Sequence, residues 1–279
     1  MAQGLSFQPD EIGPWSEIKL DIVRKYASAY SRILSAKPNL YHIYIDAFAG
    51  AGIHISRRTG EFVPGSPVNA LWVNPCFREY HFIDLDAKKV AELRGVAGDR
   101  QDICIYEGDC NPILLDTVFP RAQYEDYRRA LCLLDPYGLH LNWEVIETAG
   151  RMKSIDLFLN FPVLDMNRNV LWSRPEDVPT GQIERMNHFW GDESWRDAAY
   201  TEEQDLFDKL LKKEPTEAVV EVFRARLGSV AGFDYVPKPL AMRNSVGTIL
   251  YYLFFASQKP VAQKIVGDIF RKHGGRGME

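Results

Sequence analysis

The sequence predicts an α/β protein built on a doubly wound, mostly parallel sheet, and three observations carry that expectation. Five short apolar runs, at residues 43–46, 80–85, 103–107, 130–134 and 155–159, alternate with stretches of helical periodicity, and parallel strands need such crossovers between them. The run at 130–134 (ALCLL) is apolar at every position, as a central strand covered on both faces has to be. The runs also finish at polar groups, Asp46, Asp84, Asp109, Asp135 and Asn160. Open sheets present ligand-binding groups at that edge.

Taken in order, Gly13-Pro14 opens a helix with proline in its first turn. Trp15, Ile18, Ile22, Tyr26, Ala29 and Ile33 give it one apolar face, and Pro38 stops it. That helix packs on the sheet, or else offers Lys19 or Trp15 to the mouth of a ligand site. The first strand then meets Asp46 and turns through Phe48-Ala49-Gly50-Ala51-Gly52. Glycines in such a turn admit positive φ and let a ligand approach the backbone closely. Residues 53–64 read as a polar loop with His54, Arg57 and Arg58. It is either a solvated connection or a lid suited to an anionic target. Ser66 is the expected cap of the following helix, with Pro67 at its first position.

The second strand ends at Asp84, and Asp86 caps the next helix, which leaves Asp84 as the free carboxylate. In such folds an acidic group at this place accepts hydrogen bonds from ribose hydroxyls. After the third strand, Asn111 is the expected cap and Pro112 lies in the first turn, which leaves Asp109 unassigned. Asn142 caps the helix that follows Asp135-Pro136-Tyr137-Gly138.

Between residues 165 and 235 the pattern changes to a helical insertion. Thr201-Glu202-Glu203-Gln204 reads as a capping box for a helix closing at Lys212-Lys213, and residues 216–227 as another helix. Arg168, Arg174, Trp172, Trp190 and Trp195 near its start form either the small core of this module or a surface for a base or a protein partner. Residues 236–242 and 248–256 predict an antiparallel pair at the sheet edge, followed by a last helix from Pro260 to Gly274. The expected organisation is therefore an N-terminal helical extension (1–40), a cofactor-binding core (41–164), the insertion (165–235), and a closing hairpin with helix (236–279).

A hydrophobic content of 46% and a charged content of 25% belong to a globular chain able to bury a core. The net charge of −5 argues against a uniformly basic nucleic-acid-binding surface, though not against a local basic patch. No apolar run has the length of a membrane span, and the first residues lack a signal-peptide pattern. Cys76, Cys104, Cys110 and Cys132 show no C-x-x-C spacing. They are expected to be reduced thiols in a cytoplasmic protein, without a zinc site or disulfides.

Asp46 to Gly52 (DAFAGAG), together with Asp84, Asp109 and Asp135-Pro136-Tyr137, resembles the class I S-adenosylmethionine-dependent methyltransferases. The resemblance implies a Rossmann-like methyltransferase sheet and S-adenosylmethionine as cofactor. Asp46, Phe48, Gly50 and Gly52 would surround the methionine part, Asp84 the ribose, and Asp109 with the Cys110 amide the adenine edge. More closely, the chain resembles the three-Cys-motif partner protein family. That likeness rests on Trp15 with Lys19, DAFAGAG, Gly65-Ser66-Pro67, FIDLD ending at Asp86, GDCN ending at Asn111, LDPYG ending at Gly138, Asn160-Phe161-Pro162 and Met242-Arg243-Asn244. It implies a radical-S-adenosylmethionine-like partner protein carrying a three-cysteine motif.

The reaction this implies is methyl transfer to an exocyclic amine of a DNA or RNA base. Amino methyltransferases place a carboxamide or carboxylate, a proline carbonyl and an aromatic ring around the target nitrogen. Asp135, Pro136 and Tyr137 match those parts, with one proline where the motif has two; the same residues also make a well-formed turn. Methylation at cytosine carbon needs a nucleophilic cysteine after the fourth strand, and Cys132 lies within it. Two other readings stay open: a partner that positions substrate without catalysis, and a nicotinamide dehydrogenase. The missing G-x-G-x-x-G and the long loop after Gly52 weaken the second of these.

Overall fold

The computed structural model describes residues 9–204 and 209–274. The chain enters through a short strand, β1 (Asp10–Ile12), and a long helix, α1 (Pro14–Ser35), whose first turn carries the expected proline. Then follow β2 (Tyr41–Asp46), β3 (Ile53–Ser56), β4 (Phe62–Pro64), α2 (Ser66–Leu71), β5 (Glu79–Asp84), α3 (Ala87–Ala97) and β6 (Ile103–Glu107). The second half comprises α4 (Cys110–Ile113), β7 (Arg128–Leu134), α5 (Trp143–Arg151), β8 (Ile155–Phe161), α6 (Val163–Asn169), α7 (Thr180–Trp190) and α8 (Trp195–Ala199). It closes with β9 (Tyr200–Gln204), β10 (Lys209–Lys213), α9 (Thr216–Ser229), β11 (Leu240–Arg243), β12 (Ile249–Ala256) and α10 (Pro260–His273).

The main sheet has seven strands in the order β11-β12-β8-β7-β2-β5-β6. Strands β6, β5, β2, β7 and β8 are parallel, and β12 joins β8 antiparallel with β11 outside it. This is the predicted Rossmann-like sheet with its antiparallel closing pair. Successive residues serve opposite faces: Ile43, Ile45, Ala130, Cys132 and Leu134 lie in one core, and Tyr44, Leu131 and Leu133 in the other. From β2 the chain winds outward to β5 and β6, then returns to place β7 on the other side of β2. The winding direction therefore reverses between β2 and β7, which opens a crevice at their carboxyl ends.

Three expectations need correction. Residues 53–64 are not an irregular loop: β3 and β4 form an antiparallel hairpin, and β1 adds to it in parallel. The two ends of the hairpin meet where the Gly65 amide donates to the Gly52 carbonyl at 2.7 Å. A Cβ at Gly65 would stand 2.9 Å from that carbonyl carbon, so glycine is required there. The helix expected over residues 201–213 is instead strand at both described ends, β9 and β10 in antiparallel register, while residues 205–208 lie outside the described part. Lys212 reaches Glu203 diagonally across the pair at 2.5 Å, and Lys213 donates to Asn167 and to the Leu171 carbonyl. The backbone ladder between β9 and β10, with Lys213 anchored to the segment around α6, holds these residues as strand despite the local capping signal. The third correction concerns β11, which begins at Leu240 rather than near residue 236. Pro237 and Pro239 lack the amides a ladder needs, and before the strand only the Tyr235–Ser257 bridge forms.

Trp190 and Trp195 are fully buried with Phe161, Phe189 and Phe223 in the core beneath the sheet. The core reading of these tryptophans therefore holds. This packing is close enough to test. A Cβ at Gly150, on α5, would stand 2.0 Å from the Ala231 carbonyl oxygen. Gly150→Ala is expected to destabilise the protein by about 1–3 kcal/mol through forced separation of α5 from that segment. An unchanged urea midpoint would show that the contact yields freely.

Candidate functional site

The carboxyl ends of β2 and β7 border a cleft of about 560 Å³. The Phe48-Ala49-Gly50 turn after β2 and Asp135, Pro136 and Tyr137 after β7 both line it. The first turns of α1 close it with Trp15 and Lys19, the β3–β4 hairpin contributes His54 and Arg57, and Tyr251 comes from β12. Of the two readings of this helix, packing on the sheet and lending Trp15 or Lys19 to a ligand mouth, both hold: it packs on the sheet and these two residues line the cleft.

Asp135 is held from two sides. Its Oδ2 forms an ion pair with Lys19, and its Oδ1 accepts from Asn160 Nδ2 at 2.8 Å. Lys19 is only 8% exposed, and its ammonium lies 5.4 Å from the centre of the Tyr251 ring. Asn160 Oδ1 has no partner. An ionised carboxylate offers about four acceptor positions, so Asp135 keeps capacity for a further donor. Tyr137 projects outward with 72% of its surface exposed, and Lys89 Nζ lies 5.7 Å from its ring centre.

Asp46 lies beneath the turn and does not reach the cleft, being 0% exposed. Its Oδ1 accepts from the Phe48 amide at 3.4 Å, while Oδ2 has no partner of good geometry. Burial pushes its pKa up to about 7. The negative charge of Asp135 adds to that rise, while the Ser66 hydroxyl, the Phe48 amide and Lys19 oppose it. His54, also a cleft residue, is held below the usual histidine range by burial, and its Nδ1 has no partner.

Asp84 stands at the rim of the turn. Its Oδ2 accepts from the Gly50 amide at 2.7 Å and its Oδ1 from the Asp86 amide at 2.9 Å. It therefore locks the glycine turn to the end of β5 and retains two acceptor positions. Gly50 has φ +64° with open space where a Cβ would project, whereas Gly52 (φ +83°) faces Leu93, Val68 and the hairpin closure. Gly52 serves the turn's architecture and does not line the cleft.

Asp109 is not the unassigned carboxylate the sequence suggests. Its Oδ1 caps α4 by accepting from the Asn111 amide at 2.9 Å and from Asn111 Nδ2 at 2.8 Å, so Asn111 is not the cap. Likewise Gly65, not Ser66, occupies the cap position of α2, which leaves the Ser66 side chain to face Asp46 and the cleft. Asp109 lines a separate cavity of about 390 Å³ with His140, Arg185 and His188. Cys110 is buried, and burial together with Asp109 and Asp84 pushes its thiol up to about 12. The three carboxylates thus follow strands at one edge of the sheet but do not meet in the cleft: Asp46 is buried beneath the turn, Asp84 is bonded to the Gly50 amide, and Asp109 lines a separate cavity.

One cluster had no sequence signal. Ligand atoms of Glu79, His81 and Cys104, from β5 and its neighbour β6, lie within 4.8 Å of one another. The Glu79 carboxylate is already matched by Arg121 at 2.6 Å, Arg128 at 3.3 Å and His81 Nε2 at 2.8 Å.

No family model matches the chain, and no curated protein matches it. Solved structures do. A Legionella pneumophila protein assigned to the family model DUF519 aligns over 92% of this chain and 93% of its own, with a TM-score of 0.50 and 10% identity. A putative S-adenosylmethionine-dependent methyltransferase from Listeria monocytogenes aligns over 84% of this chain and 99% of its own, at 14% identity and a TM-score of 0.41. A Clostridium acetobutylicum S-adenosylmethionine-dependent methyltransferase aligns over 84% and 91%, at 9% identity and a TM-score of 0.40. The likeness is one of fold.

Proposed function

We infer that the chain is an S-adenosylmethionine-dependent methyltransferase acting on an exocyclic amine of a nucleic-acid base, with a three-Cys-motif protein as its partner. The supporting observation is that Asp135-Pro136-Tyr137 and the Phe48-Ala49-Gly50 turn line the same switch-point cleft. The cofactor fits the groups present. The turn is open at Gly50, Asp84 has acceptor positions left for ribose hydroxyls, and the volume suits a molecule of that size. When bound, S-adenosylmethionine supplies an electrophilic methyl group on sulfur. The protein's part is to orient the acceptor nitrogen at near-attack distance. Asp135 and the Pro136 carbonyl accept hydrogen bonds from the amine, Asn160 and Lys19 fix Asp135, and the exposed Tyr137 ring stacks on the base.

A second reading is favoured by the Lys19–Asp135 ion pair, which neutralises the acceptor the chemistry needs. In that reading the chain binds the nucleotide or cofactor and positions substrate for the partner's reaction. Transfer of labelled methyl to DNA, RNA and protein fractions, with and without the partner, decides between them. Label in a nucleic-acid fraction supports the enzyme; its absence under all conditions leaves the positioning subunit.

Asp84→Ala is expected to weaken S-adenosylmethionine binding about tenfold or more in calorimetry, by removing acceptors for two hydroxyls and the anchor of the Gly50 amide. Wild-type affinity in that variant would place the ribose elsewhere, and binding of NAD alone would end the methyltransferase reading.

A further inference from the structure

At the opposite edge of the sheet, where the parallel strands begin, a groove of about 260 Å³ runs between the end of α1, the start of β8 and the N-terminus of α10. A seven-residue strand, β7, separates it from the cleft, a span of about 20 Å. The groove continues into a neighbouring hollow of about 330 Å³, with Tyr124, Lys153, Gln258 and Lys259 common to both. Its wall is apolar along Tyr30, Ile33, Leu34 and Ile265.

Four cations gather here in a chain whose net charge is −5: Lys37, Arg129, Lys153 and Lys259. Among the described residues none of the four has an ion-pair partner within 4.0 Å. Lys153 Nζ donates to the Gly232 carbonyl and Gln258 Oε1, and Arg129 donates to the Tyr124 and Arg128 carbonyls while stacking 3.6 Å from the Tyr124 ring centre. The one carboxylate in the groove, Asp156, has its oxygens taken by Tyr26 OH and Ser257 Oγ, each at 2.6 Å. Glu125 and Asp234 lie further out, in the neighbouring hollow. α10, fourteen residues long, points its positive end at the same place. The independent sign of a ligand is Ser154. It is 3% exposed, it lines the groove, and its Oγ has no hydrogen-bond partner among the described residues. A buried hydroxyl left unpaired is costly.

The geometry points to a second ligand site, for an organic phosphate. Its dianionic group sits among Lys259, Lys153, the start of α10 and the Ser154 hydroxyl. Its aliphatic or aromatic body lies along Tyr30 and Leu34. Several positive charges against one engaged carboxylate suit a dianion, and the apolar wall distinguishes an organic phosphate from the free ion.

Calorimetry on the full chain with hexyl phosphate, phenyl phosphate and inorganic phosphate, at fixed ionic strength, tests this. At least one organic phosphate should bind about tenfold more tightly than inorganic phosphate. Lys259→Glu, an exposed change that leaves the fold intact, and Ser154→Val should each weaken it about tenfold or more. Asp84→Ala, in the distant cleft, should leave it unchanged. The proposal is overturned by no binding of either organic phosphate, by equal affinity for inorganic phosphate, or by an affinity that Lys259→Glu does not alter.

Discussion

Replacing Lys19 by methionine is expected to cost about 2–3 kcal/mol of folding stability, less than the loss of one partner of a fully buried ion pair, because Asp135 borders the cleft. The reasoning starts from exposure: the Lys19 and Asp135 side chains keep only 10% and 24% of their surface. Water in the cleft reaches Asp135 from one side only, so it replaces the lost ammonium in part. Asn160 still donates to Asp135, yet a single neutral donor does not offset a charge. Asp46 suffers too, because Lys19 is one of the groups that hold its ionisation down toward the normal range. Without Lys19 the Asp46 pKa rises further, so Asp46 keeps its proton and Asp135 alone is left without its cation. The double variant Lys19→Met with Asp135→Leu removes both charges and should recover most of the loss, since an apolar pair of similar volume often matches a buried ion pair. Urea unfolding of the two single variants and the double variant measures the coupling. A Lys19→Met protein within 1 kcal/mol of wild type, or a double variant no better than the single, would mean that solvent screens the pair. Any functional role for Asp135 would then have to be argued without Lys19.

The same pair shows what the sequence made legible. Strand ends could be read because apolar runs stop abruptly at charged residues. Thus β6 (Ile103–Glu107) appears where expected, and Asp46, Asp84 and Asp135 all lie at one edge. What could not be read was which side chain each carboxylate meets, because those partners come from distant chain segments. Asp135 is joined by Lys19, 116 positions away, and Asp84 by the amide of Gly50. Local signals failed where two of them competed. Asp109 and Asn111 are both good caps two residues apart, and Asp109 wins because Asn111 Nδ2 also reaches the His140 carbonyl. The 53–64 segment looked loop-like because its strands are short, and half of their pairing comes from β1, which precedes α1. Four described residues of the 201–204 capping box went to a sheet for a similar reason: the Thr201 hydroxyl donates to Glu214, beyond the end of the expected helix.

Asp46→Asn is expected to change the pH dependence of stability by an amount on the order of 4 kcal/mol. In the folded protein Asp46 is held up at about 7, against an ordinary carboxylate value of 3.8. A group with a raised folded pKa keeps its proton in the native state when the unfolded chain has already released it. Between pH 4 and pH 7 the native state therefore binds more protons, and stability falls as pH rises. Below pH 4 both states are protonated, and above about pH 7 both are ionised, so the slope is confined to that window. The rise from 3.8 to about 7 converts to roughly 4 kcal/mol of lost stability across it. Asparagine keeps an oxygen for the Phe48 amide and has no proton to lose. The variant's stability relative to wild type should thus climb steadily from pH 4 and level off near pH 7. Asp156 titrates in the same direction, held at about 6 by burial, but it is present in both proteins and cancels in the difference. Urea unfolding at successive pH values reads the effect directly. Parallel stability curves for the two proteins would show that Asp46 is ionised throughout the window. Its burial under the glycine turn would then have to be compensated by donors stronger than the Phe48 amide and the Ser66 hydroxyl, and the cleft floor would carry a full negative charge at neutral pH.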